Sequence, residues 1–218
     1  MKEFFITDFD GTVNFDSAFE TTTRILDEIK LKYELVIATG RNYEDFFAYF
    51  PEELKYISKF MVFSNGSVVL KDGNISHIPL KEKIIKFVLS SDLVKGLVLF
   101  ELPTGEKFES EFLTENMLDK VTRVQFITNS EDDYIWNLNL LSNLDCNVYT
   151  PRVNNISIYP SNVSKFLTSN KFIGNDSIVK KVMGNDTNDI SMLMQSNVKY
   201  LYVTDKVSIE EIIQFIRE

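Results

Sequence analysis

Apolar positions along this chain fall into two rhythms. Short, nearly unbroken runs, EFFIT at 3–7, ELVIA at 34–38 and FMVF at 60–63, suit strands buried on both faces. Between the first two, Ala18, Thr22, Ile25, Leu26 and Ile29 recur at helical spacing, which predicts an amphipathic helix over 17–31. Asn42 is a suitable N-cap for a second helix through Phe50, which Pro51 closes. Lys71-Asp72-Gly73-Asn74 lies between two alternating segments and predicts a tight hairpin, because Asp-Gly supplies the positive φ angles such a turn needs. Strands alternating with helices in this way point to an α/β fold, a parallel sheet covered by helices on both faces.

The middle of the chain breaks that rhythm. A helix over 81–91, a strand pair around Pro103-Thr104-Gly105, a strand over 121–128, a helix over 130–144 and two further strands read as a separate α+β module at 80–160. The α/β alternation then returns, with strands at 178–183 and 199–203 and helices at 188–195 and 208–217. Residues 1–79 and 161–218 therefore make one core, interrupted by the module.

Composition narrows the possibilities. With 44% apolar residues, 18 Phe and 9 Tyr, the chain can bury a substantial core, and disorder is not expected. Its apolar runs are far shorter than the ~20 residues of a membrane span, and Met1-Lys2-Glu3 leads straight into a strand without a signal-like segment. The single Cys146 cannot form an internal disulfide, which suits a reducing, cytoplasmic setting. A net charge of −9 argues against nucleic acid as the partner. An anionic substrate would then have to be held by a local site or a metal.

Four segments could carry chemistry. Asp8-Phe9-Asp10-Gly11-Thr12 follows the first strand, at the carboxyl end where open α/β sheets bind ligands. Residues 8 and 10 share a side of an extended chain, so one carboxylate could attack phosphorus while the other protonates the leaving oxygen. The same residues could instead form an Asx-type turn or part of a calcium loop. Gly184-Asn185-Asp186-Thr187-Asn188-Asp189 gathers oxygen side chains after another buried strand, suiting Mg²⁺ or, alternatively, the cap of a helix. In Ala38-Thr39-Gly40-Arg41, a hydroxyl and free amides could hold phosphate oxygens, or simply turn the chain into a helix. Lys165 stands where the chain re-enters the core and could neutralise a transferring phosphoryl group, or be a solvated lysine.

Taken in order, DFDGT, ATGR, a lone lysine and the Asn/Asp-rich fourth segment resemble the haloacid dehalogenase superfamily. The resemblance is to its Cof-type branch, which has a C2 cap between the second and third motifs. Phe63-Ser64-Asn65-Gly66-Ser67 and IYPSNVSKFL resemble further segments of that branch. The resemblance implies a Rossmann-like parallel-sheet core with an inserted α+β cap at 80–160. It also implies a Mg²⁺-dependent phosphoric monoester hydrolase acting on a small phosphorylated metabolite through an aspartyl phosphate. Asp8 would then be nucleophile and metal ligand. Asp10 would be general acid and base, with its backbone carbonyl on the metal. Thr39, Gly40 and Asn188 would hold the phosphoryl group, and Lys165 would bridge it to Asp8. Arg41 and Asn65 would line the substrate entrance. Asp189 would complete the metal site or orient Lys165 and a metal-bound water. The family usually has Asp where this chain has Asn185, so either Asn185 ligates with one charge fewer or Asp186 takes over; the register of Asn188 and Asp189 favours Asn185. A phosphotransferase or phosphomutase, and a non-catalytic phosphometabolite binder, are the alternatives. His77 reads as a surface residue, the Tyr134–Leu141 stripe with Trp136 as cap core, and the substrate's identity and the oligomeric state are not legible.

Overall fold

A computed structural model describes residues 1–15 and 19–218. In chain order the first half comprises β1 (Lys2–Thr7), α1 (Phe19–Lys30), β2 (Glu34–Ala38), α2 (Tyr43–Tyr49), α3 (Leu54–Ile57), β3 (Phe60–Phe63), β4 (Val68–Lys71), β5 (Asn74–His77), α4 (Glu82–Ser90), β6 (Leu97–Glu101) and β7 (Lys107–Glu109). The second half comprises β8 (Arg123–Ile127), α5 (Glu131–Leu141), β9 (Cys146–Arg152), β10 (Asn155–Pro160), α6 (Lys165–Ile173), β11 (Ser177–Gly184), α7 (Ile190–Leu193), β12 (Lys199–Tyr202) and α8 (Ile209–Arg217). Among the described residues the strands form two sheets, one ordered β12-β11-β1-β2-β3-β4-β5 and the other β7-β6-β8-β10-β9. The first is parallel from β12 to β3 and ends in the antiparallel strands β4 and β5. The second is antiparallel throughout. This is the α/β core with an inserted α+β cap that the sequence predicts.

Alternation along β1 explains the layering. Phe5 packs on one face with Ile25, Leu26, Phe46 and Ile212 of α1, α2 and α8. Phe4 and Ile6 pack on the other with Phe166 and Met192 of α6 and α7. Successive side chains of a strand point to opposite faces, so a strand covered on both sides must be apolar at every position.

The cap sheet has one dry face and one wet face. Val124 and Phe126 of β8 and Ile156 and Ile158 of β10 pack with Ile84, Ile85 and Leu141 of the cap helices. The intervening Arg123, Gln125, Ser157 and Tyr159 border the cavity between cap and core.

Several expectations need correction. The first helix is described from Phe19; Ser17 and Ala18 lie outside the described residues. The helix expected at 188–195 is a 3-10 turn at Thr187–Asp189 followed by the single-turn α7. Helix α6, absent from the sequence reading, buries Lys165, Thr168 and Ser169 beside Phe166, so polar residues interrupt its inward face and leave no continuous apolar stripe. Trp136, expected in the cap core, is 49% exposed and donates to the Leu93 carbonyl. Asn137 takes the buried position beside it, bridging the backbone N–H and C=O of Lys95. Among the described residues no helix is long and apolar enough to cross a membrane.

Candidate active site

The carboxyl ends of β1, β2 and β11 converge below the cap on a cavity of about 700 Å³. Asp8 directly follows β1, and its N–H donates to the Met183 carbonyl of β11 at 2.9 Å, which ties it to the neighbouring strand. Its side chain is buried. Asp8 Oδ1 accepts from Lys165 Nζ at 2.6 Å and Oδ2 from the Thr12 hydroxyl at 3.0 Å. Burial pushes the Asp8 carboxyl up to about 6, against the pull of Lys165 and with that of Asp189.

Lys165 opens α6, whose N-cap Ser164 accepts from the Leu167 N–H. Its ammonium is fully enclosed and also reaches Asp189 Oδ1 at 2.7 Å. Burial works against that charge, but the two carboxylates outweigh it and hold Lys165 above the ordinary lysine value. The second Asp189 oxygen accepts the N–H groups of Asn185 and Asp186, at 3.0 and 3.1 Å. Gly184 makes this fold-back possible, since a Cβ there would lie 2.6 Å from that of Asp189. Both Asp189 oxygens are thus engaged, one by Lys165 and the other by the loop backbone, which ties the lysine to the loop.

Asn185 and Asp186 are distinguished by the same loop. Asn185 Oδ1 lies 3.3 Å from the Thr12 hydroxyl that binds Asp8, so the two side chains meet at that hydroxyl. The approach is close enough that Gly11, at φ +69°, leaves no room for a Cβ, which would meet the Asn185 amide at 2.2 Å. Asp186 turns away: one oxygen caps the Thr187 N–H at 2.6 Å and the other accepts from the Tyr149 hydroxyl of the cap at 2.8 Å. Despite burial, these donors lower the Asp186 carboxyl below its ordinary value. The oxygens that this loop and β1 bring together beside Thr12 are those of the Asp8 carboxylate and the Asn185 amide. Among the described residues, no three His, Cys, Asp or Glu side chains cluster to hold a metal. A sparse, all-oxygen set fits a hard cation that keeps several waters.

Asp10 and Arg41 border the cavity as a pair. Arg41 Nε and Nη2 reach the two Asp10 oxygens at 2.7 and 2.8 Å, and the guanidinium lies 5.3 Å from the rings of both Tyr49 and Phe50. Thr39 accepts the Arg41 N–H on its hydroxyl oxygen at 3.1 Å. Asn65, expected at the substrate entrance, instead sits behind Gly40 at φ +53°, accepting from Asn188 Nδ2 at 2.9 Å. It borders an adjoining cavity of about 770 Å³ rather than the one above Asp8. Asn188 borders both cavities, and its Oδ1 is buried with no partner among the described residues.

Sequence reasoning missed the cap half of the site: Arg123, Gln125, Tyr149, Arg152, Ser157 and Tyr159. The signal was present in the polar positions alternating through β8 and β10.

Residues 5–96 match the family model of haloacid dehalogenase-like hydrolases. Over that segment the chain is similar to haloacid dehalogenase-like hydrolases. Solved members of similar architecture include a HAD/COF-like hydrolase from Plasmodium vivax, 18% identical with a TM-score of 0.68 over 99% of this chain and 94% of that one. A haloacid dehalogenase-like hydrolase from Bacteroides thetaiotaomicron is 14% identical with a TM-score of 0.72, over 99% and 100% of the two chains. A subclass IIB sugar phosphatase of the superfamily is 14% identical with a TM-score of 0.66, over 99% and 91%. No curated protein matches the sequence at a significant level. At these identities the neighbours establish the fold alone.

Proposed function

We propose that this haloacid dehalogenase-like protein is a phosphatase that hydrolyses a small phosphorylated metabolite through a phosphorylated Asp8. The observation that carries the proposal is the enclosed nucleophile, with Asp8 held between Lys165 and Thr12 on the floor of a cavity that Asp10 also borders. In the first step an Asp8 oxygen bonds to phosphorus as the bond to the leaving oxygen breaks, and Asp10 gives that oxygen a proton. In the second, water attacks the phosphorus of the aspartyl phosphate, Asp10 takes the water proton, and Asp8 and inorganic phosphate are released. Arg41 occupies both Asp10 oxygens, so a proton can sit there only after one arm of the fork is displaced. A substrate anion competing for Arg41 supplies that displacement.

The remaining groups hold the phosphoryl oxygens. Lys165 neutralises charge shared between Asp8 and the transferring group. Thr39, whose oxygen already accepts from the Arg41 N–H, has its hydroxyl proton to donate, and the Gly40 amide lies next to it. Asn188 offers its amide at the rim. Asp8, Asn185 and the Asp10 carbonyl would hold Mg²⁺, which when bound supplies further neutralisation of phosphoryl charge.

The test is hydrolysis of p-nitrophenyl phosphate by purified protein, with and without Mg²⁺ and after EDTA. Metal-dependent turnover that Asp8→Asn abolishes is the expected result. Failure to turn over any ester with any divalent cation would leave phosphometabolite binding without catalysis.

A further inference from the structure

The cap side of the cavity has a charge character opposite to that of the chain. Its lining residues include Arg123 and Arg152 and, among the described residues, no carboxylate, although the chain has 32 acidic residues against 23 basic. The hydroxyl and amide groups of Tyr149, Ser157, Tyr159 and Gln125 complete that face.

Arg123 is the buried one of the two arginines, 9% exposed. Its Nη2 donates to Glu101 on β6. Its Nε is buried and has no partner among the described residues. Glu101 also accepts from Asn42 Nδ2 at 2.9 Å and from the Ser64 hydroxyl at 3.1 Å, so its carboxylate is shared among three donors. A guanidinium presents five N–H donors in a rigid fork suited to carboxylate or phosphate. The Arg123 side chain borders the cavity and only one of its N–H groups is spent on Glu101, so an oxyanion entering the cavity would meet donors already held in place.

We infer that Arg123 anchors a second anionic group, a carboxylate or a second phosphate, on the leaving portion of the substrate. This rests on the phosphatase reading of the floor beneath it. Glu101 fixes the fork from behind, and Arg152, exposed on β9, draws the anion towards the cavity. The preferred substrates are thus phosphorylated sugar acids or bisphosphates rather than neutral sugar monophosphates.

Matched pairs test this in the wild-type protein: 6-phosphogluconate against glucose 6-phosphate for the carboxylate, and glucose 1,6-bisphosphate against glucose 1-phosphate for the phosphate. One doubly anionic member should have the higher kcat/KM by about tenfold or more, expressed mainly in KM, as one charge-assisted hydrogen bond implies. Arg123→Lys should retain part of the preference and Arg123→Gln should bring the ratio near one. Because Arg123→Gln strands Glu101, the double variant with Glu101→Gln serves if the single one does not fold. Equal kcat/KM within both wild-type pairs, or an unchanged ratio in a folded Arg123 variant, overturns the inference. Calorimetric binding of the same four ligands to Asp8→Asn needs no turnover. A binding preference without wild-type turnover would sink the phosphatase reading alone, and turnover without preference would sink the Arg123 assignment alone.

Discussion

Replacing Lys165 with alanine removes the one cation that two enclosed carboxylates share. Its Nζ lies 2.6 Å from Asp8 and 2.7 Å from Asp189. At an effective dielectric of about 20, each contact carries about 6 kcal/mol of attraction. Part of that is offset because the wild-type lysine is itself stripped of water, and measured losses on breaking a buried pair from one side run to about 3–5 kcal/mol. For a chain of this size that corresponds to a fall in melting temperature of roughly 6–20 °C. The deficit should also depend on pH. Without the ammonium, Asp8, already raised by burial, rises further, so the folded variant holds a proton that its unfolded chain has lost. A carboxyl with a folded value above its unfolded one contributes stability at low pH that disappears as pH rises through the folded value. The gap between variant and wild type should therefore be widest near pH 7 and narrow towards pH 5. Urea unfolding of both proteins at the two pH values reads this directly. A loss below about 1 kcal/mol, well short of the usual range for such a pair, or a gap that does not shrink on acidification, would refute the shared-cation account.

Asp10→Asn should slow esters with poor leaving groups by about 10²–10⁴-fold and p-nitrophenyl phosphate much less; equal losses would remove Asp10 from proton transfer. Asn185→Asp should lower the Mg²⁺ concentration for half-maximal activity, because affinity for a hard cation follows ligand charge. Asp186→Asn should leave that concentration little changed, since Asp186 is spent on Thr187 and Tyr149; the reverse pattern in metal titrations would make Asp186 the ligand. Tyr149→Phe deletes a cap-to-core hydrogen bond worth about 1 kcal/mol and should raise KM about fivefold; an unchanged KM would mean that this contact plays no part in closure.

What the sequence makes legible here is whatever sits at the end of an apolar run. Asp8, Thr39 and Asn185 each follow a buried strand within a residue or two, so position and chemistry coincide in the text. Lys165 is different: nothing local marks it, and only its order after the other motifs singles it out. Its helix escapes notice because Lys165, Thr168 and Ser169 interrupt the apolar side that Phe166 begins. The cap half is harder for another reason. Alternation at Arg123, Val124, Gln125 and Phe126 announces a half-wet strand, yet it does not say whether the wet face meets bulk water or a substrate cavity. Asn65 shows the opposite failure, a motif residue whose side chain supports Gly40 from behind.

The central position of β1 has a consequence for synthesis. One edge of β1 pairs with β2 as soon as that neighbour emerges, but the other must wait for β11, made after the entire cap. Residues 8–176 separate β1 from β11, which at ~5–20 residues per second leaves that edge open for roughly 8–34 s. During that interval a ribosome-bound chain exposes Phe4, Phe5 and Ile6 along an unpaired strand, the geometry most inviting to intermolecular pairing. The strand that places Asp8 is thus also an adhesive segment of the nascent protein, and a chaperone that shields it until the cap has been made should raise the yield of folded protein.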